Sequence, residues 1–246
     1  MDHSLYVAMT GATQILRAQD AVSNNLANAS TVGFKSELTA FQSLPVLGTG
    51  LATRINVVAQ GKGQDMSQGA SVSTGRSLDV AVSGPGWIAV QAPDGSEAYT
   101  RAGNLKLTSS GQLTDAAGNP VMGASGPISV PDSTKIRIGE DGTISTVPAG
   151  SGPNTVTAIG RIKLVDPDPA QLVQGTDSLM HMADGGTAPV DDAVHVISGA
   201  LESSNVNPSA ELVRMIALSR QFDMQLKSIK TAENDADSAN KLLQSN

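Results

Sequence analysis

Cysteine is missing altogether from this chain, which rules out disulfides and thiolate metal sites and leaves the redox character of its compartment open. Aromatic side chains are scarce as well: three Phe, two Tyr and one Trp make up 2% of 246 residues. A groove of stacked aromatics, of the kind single-stranded nucleic acids occupy, cannot be built from so few. Positive charge is also short. Sixteen Lys and Arg stand against 23 Asp and Glu, a formal charge of −7 and a pI near 4.8, so neither phosphate backbones nor anionic lipid attract the chain. No nucleic-acid partner is expected, and no membrane insertion, since the chain lacks a run of about 18 apolar residues. The opening "MDHSLYVAMTGATQ" has Asp2 where a cleaved secretory signal wants Lys or Arg, and its apolar residues are spaced, so no such signal is expected. What remains is a hydrophobic content of 39%, enough for a core that is mostly aliphatic and alanine.

The two ends read as helices. Leu5, Ala8, Ala12, Ile15, Gln19, Val22 and Leu26 alternate at three and four residues, the 3.5-residue seam of a coiled coil interrupted once by Gln19. At the other end Pro208 and Ser209 open a segment with Glu211 in its first turn. Met215, Leu218, Phe222, Leu226, Ile229, Ala232, Ala236, Ala239 and Leu243 then step along at the same mean spacing. Five Lys and Arg balance five Asp and Glu between Ser209 and Asn246, so the outer face of this helix is mixed in charge.

Between the ends lie many Gly, Ser, Thr and Pro residues and short strand-like runs. "SLDVAV" alternates Leu78, Val80 and Val82 against Asp79 and Ala81, as a half-buried strand does. "LKLTSSGQL" (Leu105–Leu113) and "IRIGEDGTI" (Ile136–Ile144) both read as hairpins. The expected fold is α+β: N- and C-terminal helices form a coiled-coil-like helical domain, and a mostly antiparallel β domain is inserted between them. Its divisions are an N-terminal helix and motif over 1–34, an extended arm over 35–75, the β domain over 76–200 and a C-terminal helix over 201–246. The arm, with "LPVLGTGLATR" and "AQGKGQDMSQGAS", has weak periodicity and many turn formers. Each apolar seam needs a partner, because short isolated helices are marginal in water. Pairing within the chain, to cap a soluble β protein, and pairing between copies both satisfy that need.

The stretch "SNNLANASTVGF" (Ser23–Phe34) marks where the first helix stops, since Asn and Ser side chains compete for nearby backbone groups. Gly33 is expected to take a left-handed conformation, with Phe34 folding back onto the last helical turn as part of a C-cap. The exposed polar groups of Asn24, Asn25 and Asn28 are left for the broken backbone or a neighbouring subunit.

These residues carry a resemblance. "NNLANASTVGFK" (Asn24–Lys35) is similar to the N-terminal signature of bacterial flagellar rod and hook proteins, and "LESSNVNPSAELVRMI" (Leu201–Ile216) to the C-terminal one. "LDVAVSGPGWIAVQAPDGSEAYTRAGNLKL" (Leu78–Leu107) resembles the β-domain block of the same family, so the likeness spans nearly the whole chain in the right order. Within the family, "MDHSLYVAM", the tryptophan of "GPGWIAV" and "GRIKLVDP" (Gly160–Pro167) look most like proximal rod members, with distal rod members next. The resemblance implies a structural subunit, not an enzyme, exported without a cleaved signal through the flagellar type III export apparatus. It implies assembly with copies and with other proximal and distal rod subunits into a hollow shaft that crosses the periplasm and transmits motor torque. No cofactor is implied. The expected assembly interface comprises Leu5, Ala8, Ala12, Ile15, Val22, Asn24, Asn25, Leu26, Asn28, Gly33 and Phe34 near the start. Near the end it comprises Asn205, Met215, Leu218, Phe222, Leu226, Ile229 and Leu243.

Catalytic chemistry has little to build on. The three histidines are His3, His181 and His195; His181 with Asp184, or His195 with Asp191 and Asp192, match no compact metal motif. Asp79, Asp94, Glu97, Glu140 and Asp141 include carboxylates that an enzyme cleaving peptidoglycan would need, but most stand beside turn glycines. "DPDP" and "GEDGT" lack the alternating oxygens of a calcium loop, and Gly61, Gly63 and Gly69 do not form a dinucleotide fingerprint. No catalytic, metal or cofactor site is expected. A secreted, adhesin-like β protein with internally paired helices is the alternative outside the family.

Overall fold

A computed structural model describes residues 3–45, 55–131, 133–148 and 155–244. The side chains of His3, Ala236, Ala239 and Leu243 lie outside the described residues, as do residues 46–54 of the expected arm. The chain is α+β, with two helices and antiparallel sheets, and it divides into two compact units. A helical unit takes Met1–Ala29, Ser36–Asp65 and Val206–Asn246; a β unit takes Ser30–Lys35 and Met66–Asn205.

In the helical unit, α1 (His3–Ala27) and α2 (Pro208–Gln244) pack on one another through the seams their periodicity marks. Ile15, Ala18 and Val22 are buried with Leu218, and Met215 and Phe222 close over them. Ala8 and Ala12 continue the buried stripe of α1, small side chains that allow close helix approach. Asn207, which sequence reading passes over, is the N-cap of α2: its Oδ1 accepts from the Ala210 N–H at 3.2 Å, with Pro208 just inside.

Two seam positions differ from expectation. Leu226 is 47% exposed, and Gln225 is the half-buried residue instead. Strict three-four alternation from Leu218 leads through Phe222 to 225, and Gly11 leaves room there: a Cβ on Gly11 would stand 3.3 Å from the Gln225 side chain. At the end of α1 the buried residue is Asn25, with Leu26 only half-buried.

The segment read as an extended arm contains an antiparallel hairpin, β1 (Glu37–Pro45) with β2 (Ile55–Gln64), Phe41 facing Ala59. Its apolar residues Leu38, Phe41 and Leu44 recur every third position, so no period of two announces the strand. Two buried side chains of α1 hold the hairpin. Asn25 donates to the Glu37 carbonyl at 3.0 Å and accepts from the Glu37 N–H at 2.8 Å, and Gln14 accepts from the Ala59 N–H at 3.0 Å.

In the β unit the strands follow in order as β3 (Ser71–Ser73), β4 (Val80–Ser83), β5 (Trp87–Gln91), β6 (Glu97–Thr100), β7 (Lys106–Leu107) and β8 (Leu113–Thr114). Next come β9 (Met122–Gly123), β10 (Gly126–Pro127), β11 (Ser133–Ile138), β12 (Thr143–Pro148) and β13 (Thr157–Arg161). The last are β14 (Leu164–Val165), β15 (Leu172–Gln174), β16 (Met180–Met182), β17 (His195–Ser198) and β18 (Ala200–Glu202). The largest sheet has the order β14-β5-β6-β16-β15, a second is β11-β12-β13, and the remaining strands pair as β17-β4, β18-β3, β7-β8 and β10-β9. Both expected hairpins are present, as β7-β8 and β11-β12. "SLDVAV" is not half-buried: Val80, Ala81 and Val82 of β4 are all buried, and so is Asp79. The Asp79 carboxylate is matched by Arg76 and by the Thr74 hydroxyl at 2.6 Å. Two apolar clusters fill the unit, one around Ile88, Val90, Leu113 and Ile144, the other around Trp87, Tyr99 and Leu172. Burial pushes the Tyr99 phenol up to about 12, so it stays protonated. It donates to Glu97 at 2.9 Å and accepts from the Ala188 N–H at 2.6 Å.

Candidate functional site

The two terminal signatures meet in the β unit. The Gly33 N–H donates to the Glu202 carbonyl at 2.8 Å, and the Asn205 N–H donates to the Phe34 carbonyl at 3.3 Å. Glu202 then gathers three donors on its carboxylate: Lys35 Nζ at 2.7 Å and the Gly69 N–H at 2.9 Å on one oxygen, Arg101 at 2.9 Å on the other. The charged side chains are buried, at 3–4% exposure. Arg101 also donates to the Gly84 carbonyl at 2.9 Å and lies 5.4 Å from the centre of the Trp87 ring. Burial alone pushes the Glu202 carboxyl up, but the hydrogen bonds from Lys35, Arg101 and Gly69 outweigh it, and the group is held below the usual carboxylate range.

Gly33 is left-handed, at φ +69°, but it is not the C-cap of α1, which ends six residues earlier at Ala27. It needs to be glycine for its left-handed backbone and for space as well, since a Cβ there would stand 2.3 Å from the Arg101 carbonyl carbon. Phe34, expected to fold back on the helix, has its backbone committed to Asn205. Gly33, Phe34 and Asn205 are thus brought together with one another, and with Lys35, Arg101 and Glu202, which the expected interface did not include. A basic residue directly after "VGF" and an acidic one directly before "SSNV" were the available signal.

The helix seam residues fall into two groups. Ala8, Ala12, Ile15, Val22 and Leu218 are buried within the chain, with Leu5, Leu26, Met215, Phe222 and Ile229 half-buried. Asn24 is exposed, its carbonyl accepting from the Asn28 backbone and side-chain N–H groups, and Asn25 is committed to Glu37. Outside the seam, both helices expose a further set of large apolar side chains: Tyr6, Met9 and Leu16 on α1, and Leu212, Val213, Ile216, Met224 and Leu226 on α2. Spacings of three and seven keep Tyr6, Met9 and Leu16 on one face of α1. On the seam side an open groove of about 300 Å³ is lined by Gly11, Ile15, Phe41, Val57, Met224 and Gln225.

Most of the residues considered for catalysis or metal binding have other partners. His181 lies 3.0 Å from Asp177, while Asp184 accepts from the Gly186 N–H. Asp192 pairs with Arg161, Asp191 accepts from the Ala193 N–H, and His195 is exposed on β17. Among the described residues no three His, Asp or Glu converge as metal ligands. Glu97 binds Lys163 at 2.8 Å. Asp94 and Asp141 close turns onto Ser96 and Thr143, hydrogen bonds that hold both carboxyls low. Among the described residues no helix is long and apolar enough to cross a membrane.

These features define a class: a chain whose N- and C-terminal helices share one unit, with a separately cored antiparallel β unit inserted between them and large apolar side chains left exposed on both helices. Residues 5–35 match the family described as flagella basal body rod protein, and residues 197–242 the C-terminal region of flagellar basal body rod FlgEFG proteins. Residues 81–146 match the D1 domain of flagellar hook protein FlgE/F/G. The chain is 44% identical over 249 residues to the flagellar basal-body rod protein FlgF of Escherichia coli, covering 99% of both chains. It is 43% identical to FlgF of Salmonella typhimurium, again over 99% of both. With the flagellar basal-body rod protein FlgG of a Buchnera aphidicola strain it shares 32% over 253 residues, covering 94% of this chain and 95% of the relative. The chain belongs to the flagellar basal-body rod protein family, and it is a structural subunit of the rod and not an enzyme.

Proposed function

We propose that the chain is a proximal rod subunit whose terminal helices pack, in coiled-coil-like fashion, against those of neighbouring subunits to build a hollow shaft that carries motor torque across the periplasm. The observation that carries this reading is the apolar set left over after α1 and α2 have packed on each other: Tyr6, Met9 and Leu16, with Leu212, Val213, Ile216, Met224 and Leu226. Large exposed apolar patches mark interaction surfaces. Heterologous contacts, in which different patches of identical subunits meet, extend into helical filaments. Partners on this reading are further copies and other rod subunits. Passage through the type III export apparatus without a cleaved signal belongs to the same reading. The proximal position is supported by two chains named FlgF at 43–44% identity; others so named lie at 29–33%, alongside the FlgG chain at 32%. A distal position is the second reading, favoured by the near-complete coverage of that FlgG chain.

Electron microscopy of basal bodies from a strain lacking the gene tests the proposal, with complementation by the full chain or by a chain without residues 209–246. Rods that are missing or stop early, restored only by the full chain, are the expected result. Complete rods in the uncomplemented strain overturn it.

A further inference from the structure

The β unit has four chain ends, at Ser30, Lys35, Met66 and Asn205, and one group of contacts gathers the segments that lead to them. Residues 33–35 bond to Glu202 and Asn205 through the Gly33 N–H, the Phe34 carbonyl and Lys35 Nζ. Residues 67–69 join through the Ser67 carbonyl, which accepts from Lys35 Nζ at 2.6 Å, and through the Gly69 N–H on Glu202. β3 and β18 pair with each other as a two-stranded sheet, and all of β3 is exposed. Neither apolar cluster of the unit draws a buried residue from 30–35, 67–75 or 199–205. The contacts described here are therefore polar, and a two-stranded ribbon alone is marginal in water.

This group meets the rest of the unit at Asp79, which accepts from the Thr74 hydroxyl at 2.6 Å and from the Gly199 N–H at 2.7 Å. Where β3 leads on to β4, and β17 leads on to β18, each strand carries a left-handed glycine: Gly75 at φ +71° and Gly199 at φ +76°. The two face each other, the Thr74 and Gly75 N–H groups donating to the Gly199 carbonyl at 2.8 and 3.0 Å. A matched pair of residues free to change φ and ψ is what a hinge across two strands requires.

We propose that residues 30–35, 67–75 and 199–205 form a clasp that closes and opens as one unit about Gly75 and Gly199, with the Glu202 carboxylate as its catch. The two terminal signatures are then each other's partner: the β unit has its ends held only once the segment around Glu202 has docked. Opening it leaves the sheets around β5 and β6 intact, because their apolar clusters do not include it.

Hydrogen exchange of the full-length chain, resolved by segment, tests the clasp. Glu202→Gln keeps shape but removes the charge that Lys35 and Arg101 face, and leaving buried charges uncompensated is strongly destabilising. Exchange within 33–35, 69–74 and 200–205 is expected to rise together by at least about tenfold, with 87–100 unchanged. The chain has no cysteine, so a disulfide can be introduced cleanly. The Ser203 N–H to Ala70 carbonyl and Thr74 N–H to Gly199 carbonyl bonds make Ser73 and Ala200 a non-hydrogen-bonded pair, whose close Cα atoms suit a bridge. Adding Ser73→Cys and Ala200→Cys to Glu202→Gln, then oxidising, is expected to restore protection at 33–35 as well as in the bridged strands. The proposal is overturned if Glu202→Gln leaves exchange unchanged, if 87–100 opens to the same extent, or if the bridge protects the strands but not 33–35. A Glu202→Gln chain that fails to fold even when bridged also overturns it, since Glu202 would then belong to the core of the whole unit.

Discussion

At the scale of single residues, position mattered more than residue type. Gly33 is a glycine because the chain turns left-handed there against the Arg101 backbone. Gly33→Val therefore acts on the fold of the β unit before any subunit contact. A β-branched residue in that conformation costs about 1–2 kcal/mol, and the overlap adds to it. Thermal unfolding followed by Trp87 fluorescence is expected to shift down by at least about 4 °C; an unchanged midpoint would sink the assignment. The carboxylates set the acid response. Asp79 and Glu202 are each pushed up by burial, but more strongly lowered by their partners, Arg76 and Thr74 for the first, Lys35, Arg101 and Gly69 for the second. A carboxyl lowered in the folded state contributes stability above its unfolded value, near pH 4, and loses it as pH falls through the folded value. The melting midpoint is thus expected to be nearly level from about pH 6 to 8 and to fall below about pH 4, with a shallower fall in Glu202→Gln. That these residues are special could be read from the signatures; that Lys35 and Glu202 form a pair could not, because 167 positions separate them.

The helices and the first hairpin show how far periodicity reaches. A repeat of 3.5 residues located both buried stripes, since the spacing of apolar residues on a helix fixes which of them share a face. It did not say which stripe is used within the chain, and it missed Gln225, whose inward place depends on the space left by Gly11 on the other helix. The β1-β2 hairpin stayed hidden for a related reason: its hold is two-point bonding from Asn25 and a bond from Gln14, not an alternation of its own. Two positions on α2, two residues apart, separate the buried and exposed sides. Leu218→Asp places a charge in the buried seam and should destabilise the helical unit by at least about 3 kcal/mol. Ile216→Asp, at a side chain 55% exposed, should change stability by no more than about 0.5 kcal/mol while preventing rod assembly. Far-ultraviolet circular dichroism on heating, set beside electron microscopy of complemented strains, distinguishes them. Normal rods with Ile216→Asp would remove the exposed stripe from the interface.

For the whole molecule, the division into two units has a thermodynamic consequence. The buried apolar cluster of the helical unit is small, Ile15, Ala18, Val22 and Leu218, whereas the β unit has two larger ones. Since stability follows buried apolar area, the helices are expected to melt at a lower temperature than the β unit. Trp87, the single tryptophan, is buried in the β unit and reports on it alone. Circular dichroism should therefore lose helical signal before the fluorescence changes, and coincident transitions would show one cooperative body instead. By itself the sequence determined the α+β class, the helical ends, the two hairpins and the membership of the rod family, because each rests on local spacing or on motifs in chain order. Only the tertiary structure decided that the segments 30–35 and 199–205 close on one another, that Asn25 bonds a strand of its own chain, and which apolar side chains are left uncovered. Those facts depend on contacts between residues far apart in the chain, and no local pattern encodes which distant partner will satisfy a buried charge or cover an apolar face.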